Sequence, residues 1–572
     1  MNNTKKILIG GVLASVLSVT SMAQADGFFS KLFGGSSSGV DFKTMLSHVP
    51  ADTSYMFANK NPIPADVMDF HMKRSQEVFK MISKLQYKAK KAGDKDGSAS
   101  KGEAFFKAIT DEFSSKLADK KFEDTGLSLK ATSMIYGYNE MPVMRMSIAD
   151  KGKILELIKR AEEESGYKVR FDKCGEFECI KESLGDNEPS ISVVLLKDQL
   201  AMALFRKDDE KDVINHLTGK ADPKAAYGED KWDAFLKDNN YKGFGDGFVN
   251  LKKLYNNHKE DFAKGFFNSG KKKAISKEDQ KACMGVIDDH VNNMPGIIFG
   301  SKNMKAGNMD YEMVFQTSEG VSSSLQEVAN KTNIAKRSVN PIFSMGLNLN
   351  AKKLGEAVTT YSNFLIKSGE THKCKSVDAK EIRKGMGGML MVMNMGLTQL
   401  KSVYVSLNEL DLDERMQPKK LDVFLSIGSD DPAGLLAMAT MMSPGLANLK
   451  VPADGTAVTL PAGAIPSKGM PLPPISISRS DKAINFMIGN DKPELKDYKG
   501  EKPEIMTFAL DGKRYYEIIG NVLKVAPQSK TTGMDSEELA EMMSSMGGMM
   551  GKVQQEVSAD KRGLVFDSHV QY

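Results

Sequence analysis

Apolar and polar positions alternate at Met144, Met146 and Ile148 against Arg145 and Ser147, the period of a strand with one buried face. Ile154, Leu155, Leu157, Ile158 and Ala161 then recur at the spacing of one helical stripe, so strand and helix can close on a common core. The same phrase returns at Val423, Leu425 and Ile427, followed by Leu435, Leu436, Met438, Ala439 and Met442. A third copy runs through Tyr311, Met313 and Phe315 and on to Val321, Leu325 and Val328.

A second phrase joins a strand to a helix through Asn or Asp. It occurs at Phe57 to Asn59, at Phe248-Val249-Asn250, at Leu347 to Asn350 and at Ala509-Leu510-Asp511. A side-chain oxygen there caps the first free amides of the helix that follows, which explains these residues better than a ligand site. Strand pairs also recur. Ser133 to Ile148 corresponds to Ser402 to Ile427, the hairpin Ile191 to Phe205 to Ile475 to Ile488, and Ile297 to Phe315 to Val553 to Gln571. Equivalent positions are offset by 279 at Ile148 and Ile427 and by 283 at Asp198 and Asp481. The expected fold is therefore α+β, a tandem duplication of antiparallel strand pairs with helices packed on the sheet, with halves at 45–335 and 336–572.

Composition makes the chain an ordinary globular one, 572 residues with 41% hydrophobic and 27% charged. A net charge of +4, from 78 basic and 74 acidic residues spread along the chain, marks no nucleic-acid face. At the N-terminus Lys5 and Lys6 precede an apolar run from Ile7 to Val19, and Ala23-Gln24-Ala25 offers small residues to a signal peptidase. Residues 1–25 are expected to be a signal peptide, with a periplasmic destination or, alternatively, secretion. In the segment 26–44, Phe28, Phe29, Leu32 and Phe33 make one apolar stripe ahead of a Gly/Ser linker, suited to peripheral membrane contact or to packing on its own domain. The linker's Gly35-Ser36-Ser37-Ser38-Gly39 matches a nucleophile elbow by composition only, without the strand and helix such an elbow needs.

Four cysteines in an exported chain imply two disulfides. Cys174 and Cys179 flank a four-residue spacer between strand-like segments, which leaves Cys283 to Cys374. A redox-active pair is the other reading, but the spacer lacks the short motif that lowers a thiol pKa. Val49-Pro50-Ala51-Asp52-Thr53-Ser54-Tyr55-Met56-Phe57-Ala58-Asn59 resembles the start of a group of uncharacterised exported bacterial proteins. The resemblance implies export and transfers no functional residue.

Methionine is the compositional excess, with 36 residues. One cluster holds Met386, Met389, Met391, Met393 and Met395, and another Met546, Met549 and Met550. Thioethers can hold copper(I), fill uneven cores beside glycine, or line a yielding groove for lipid or peptide. The seven histidines form no metalloprotease pair, and His290, beside Asp288 and Asp289, reads as a helix-surface residue. Asp94-Lys95-Asp96-Gly97 has its glycine at the fourth position of a calcium loop instead of the sixth and is not an EF-hand. With no repeated polar constellation, the expectation is a non-enzymatic periplasmic envelope protein. It binds a protein partner or an apolar ligand between two duplicated halves, and needs no cofactor. The alternatives are a hydrolase with a noncanonical site and a Met-rich copper-binding protein.

Overall fold

The computed structural model describes residues 41–61, 63–64, 66–67, 70, 101–119, 121–128, 131–183, 189–221, 223–259, 276–330, 334–336, 341–394, 399–413, 417–442, 449–461, 473–489, 496–498, 503–525, 540, 543–544, 547 and 551–572. The expected signal segment, the Phe28 to Phe33 stripe and the Asp94 loop lie outside them. The chain divides into two compact units, one of Met1–Asn250 with Ile298–Glu312 and one of Leu251–Ile297 with Met313–Tyr572. Both mix helices with antiparallel strands, an α+β arrangement.

In the first unit the strands are β1 (Tyr55–Asn59), β2 (Ser133–Tyr138), β3 (Met141–Ser147), β4 (Phe171–Cys174), β5 (Phe177–Ser183), β6 (Ser190–Leu195), β7 (Gln199–Phe205) and β8 (Phe244–Val249). They pair antiparallel in the order β4-β5-β6-β7-β3-β2-β1-β8. The β2–β3 turn is made by Asn139 and Glu140 at positive φ, the geometry that matches the twist of paired strands. Its helices are α1 (Phe42–Leu46), α2 (Lys101–Ala118), α3 (Lys151–Ser165), α4 (Glu210–Leu217) and α5 (Glu229–Asn239). Helix α3 is capped by Asp150, which accepts from Lys153 N, and buries Ile154, Leu157 and Ala161 as its stripe predicts. Both faces of this sheet are covered. Phe42, Val213, Leu217, Trp232 and Leu236 pack over Met56, Met134, Val143 and Ala203 on one side. Phe122, Leu127 and Ile154 pack over Met144, Met146 and Ile148 on the other. The single buried face expected of β3 is thus corrected, because Arg145 is as buried as its apolar neighbours.

β9 (Gly296–Lys305) and β10 (Asn308–Gln316) form the hairpin that follows. The second unit contributes α6 (Leu251–Asn257), α7 (Lys277–Asn293), α8 (Glu319–Val328), α9 (Ala351–His372), α10 (Ala379–Asn394), α11 (Pro432–Met442) and α12 (Gly512–Val525). Asn350 caps α9 by accepting from Lys353 N, and the Asp511 carboxylate accepts from Arg514 N at the start of α12. Its strands are β11 (Ile334–Lys336), β12 (Phe343–Asn348), β13 (Leu400–Leu412), β14 (Pro418–Ser429), β15 (Val458–Thr459), β16 (Ile475–Arg479), β17 (Ala483–Ile488), β18 (Lys496–Tyr498), β19 (Glu504–Asp511), β20 (Lys552–Asp560) and β21 (Gly563–Gln571). β11 pairs with β18, and the rest order as β15-β16-β17-β14-β13-β12-β19-β20-β21. Taken strand by strand, β5-β6-β7-β3-β2-β1-β8 and β15-β16-β17-β14-β13-β12-β19 visit the chain in the same sequence. One difference stands out. Helices α4 and α5 follow β7, whereas only fifteen residues separate Ile488 from Glu504, too few for two such helices.

Candidate apolar binding face

Six neighbouring strands of the second unit place their side chains in register across the sheet. One row runs Leu510, Phe343, Leu407, Val423, Ile488 and Ile475. The next runs Phe508, Met345, Val405, Leu425, Phe486 and Ile477, and the third Met506, Leu347, Val403, Ile427, Ile484 and Arg479. Because side chains alternate along a strand, these three rows share one face. Every position but Arg479 is apolar, yet apart from Ile477 and Ile484 all are only half-buried. The interleaved rows on the opposite face read Ala509, Ser344, Ser406, Phe424, Met487, Ser476 and Thr507, Gly346, Tyr404, Ser426, Asn485, Ser478. Tyr404, Phe424 and Met487 form a buried apolar cluster at the middle of this face, small and polar side chains flank it, and most of the face is buried.

Both faces thus carry apolar side chains, the second face burying small polar groups among them while the first is all but uniformly apolar and mostly half-buried. Burying those polar groups has a cost. Ser406 Oγ, Asn408 Oδ1, Asn348 Oδ1 and Asn485 Oδ1 are buried without a hydrogen-bond partner. On the apolar side, Leu436 of α11 with Val451 and Leu460 packs over Ile477 and Ile484, covering the β16–β17 end. Toward β14, β13, β12 and β19 the rows stay half-open. With strands about 4.8 Å apart and side chains on one face about 7 Å apart along a strand, the three rows span roughly 24 by 14 Å. Beyond the cover of α11 that footprint is partly exposed apolar surface.

The polar groups buried elsewhere are used to hold the fold. In the first unit the Arg145 guanidinium donates to Tyr136 Oη at 3.1 Å, to Gln199 Oε1 at 3.3 Å and to the carbonyls of His216 and Leu217 at 2.7 and 3.2 Å. No carboxylate among the described residues pairs with it. His216 lies 2.7 Å from the same Tyr136 hydroxyl and stacks on Tyr138 at 3.7 Å. Burial, and after it the nearby Arg145 charge, pushes the His216 imidazole down to about 3, so the ring is neutral. Asp246 accepts from Gly243 N at 2.5 Å and from Ser301 N at 2.6 Å, pinning the loop before β8 to β9. Burial pushes its carboxyl up to about 6 against those hydrogen bonds.

In the second unit Asp289 accepts from Ser368 Oγ and meets His372 Nε2 at 3.2 Å, tying α7 to α9. Serine and histidine both engage the carboxylate instead of each other, so the trio is not arranged as a nucleophile and its base. His290 approaches Tyr361 Oη at 3.4 Å, and burial lowers its pKa. The disulfides are Cys174–Cys179 in the β4–β5 hairpin and Cys283–Cys374 between α7 and the segment after α9. The second bond joins residues on either side of 335, and both belong to the second compact unit. Asp279 lies near Cys283 and Cys374, but these sulfurs are bonded to each other, and Asp279 accepts from Lys375 N and Ser376 Oγ. Met386 is half-buried on α10, with Met389, Met391 and Met393 further along its backbone. Met395, Met546, Met549 and Met550 lie outside the described residues.

Sequence reasoning found these strands but missed the open face. The signal was present in Ser402-Val403-Tyr404-Val405-Ser406-Leu407-Asn408, whose alternation separates two faces without saying which one is closed. Among the described residues no helix is long and apolar enough to cross a membrane. No family model matches the chain, and no curated protein or solved structure is significantly similar to it.

Proposed function

We propose that the protein is a non-enzymatic, exported envelope protein of the periplasm, a tandem duplication whose second unit takes an apolar ligand on the open sheet face. The observation that carries this reading is the set of apolar rows on β14, β13, β12 and β19 that stay half-buried beyond the cover of α11. A hydrocarbon chain laid on the rows gains about 0.8 kcal/mol per methylene removed from water, before the costs of ordering it. The shared strand order of the two units supports descent from one ancestral unit. The signal-like N-terminus and the two disulfides, which suit an oxidising compartment, support export. The structural use of Arg145, His216, Asp246 and Asp289 favours binding over catalysis.

Native mass spectrometry of protein taken from the periplasm tests the reading. The expected spectrum carries a small-molecule adduct of lipid mass, which Val405→Glu removes by placing a carboxylate in the middle row. A bare wild-type mass, or a stable complex with a second protein and no adduct, would overturn it.

A further inference from the structure

We draw no further inference here: the strongest candidate, the outward face of α11, where Ala433, Ala437 and Met441 are exposed on a helix that carries no charged residue, is an apolar face, and nothing in the structure shows what covers it.

Discussion

At the scale of single residues, alternation misleads where a polar side chain is buried by design. Arg145 stands between Met144 and Met146 and reads as the solvent side of a strand, but its donors satisfy two carbonyls at the end of α4, a tyrosine and a glutamine. Nothing local in the sequence announces partners that lie from nine to seventy-two positions away. The neighbouring His216 gives the network a pH dependence. Its folded pKa lies far below the unfolded value of 6.5, so between those values the unfolded chain binds more protons. Its contribution to stability is therefore complete above pH 6.5 and is lost as pH falls toward 3, at about 1.4 kcal/mol per pH unit. Asp246, raised from 3.8 to about 6, works in the opposite sense, adding stability at low pH that is lost as pH rises through about 6. Comparing urea unfolding of the wild type and His216→Gln at pH 7.5 and 4.5 separates the two. The variant should lose less stability on acidification, and an identical loss in both proteins would contradict this account of His216.

At the scale of elements the sequence was informative wherever a pattern is local. The turn at Lys197-Asp198-Gln199 between β6 and β7, the caps Asn350 and Asp511, and the stripe of α3 all follow from residues within a few positions of one another. The disulfides are legible in the same way, since one spans a hairpin and the other pairs what is left. Their energetic weights should differ, because a bridge restrains the unfolded chain more when it closes a longer loop. For sequence separations of 5 and 91, loop closure gives about 2 kcal/mol for Cys174–Cys179 and between about 4 and 5 kcal/mol for Cys283–Cys374. Denaturant midpoints of the two double-alanine variants check the order, and a greater loss from the hairpin bridge would contradict it. Less legible was α10, whose glycines and methionines suit a core helix best but also a groove or a copper site.

Across the whole molecule, what no sequence window reveals is which face of a sheet is closed. In the first unit α4 and α5 follow β7 and supply Val213, Leu217, Trp232 and Leu236 to one face, and α3 helps to cover the other. In the second unit the stretch after β17 is too short for such helices, and on the apolar rows, the counterpart of the face that α3 covers, Leu436 of α11 with Val451 and Leu460 closes the β16–β17 end and leaves the rest half-buried. The order of strands is common to both units, and the proposed ligand face is the part of the second unit's apolar rows that α11 leaves half-buried. A photoactivatable diazirine fatty acid, irradiated with the mature protein and located by peptide mapping, tests this most directly. The account predicts labels concentrated on Phe343, Met345, Val405, Leu425 and Phe508; labels spread over other surfaces, or absent from these five residues, would contradict it.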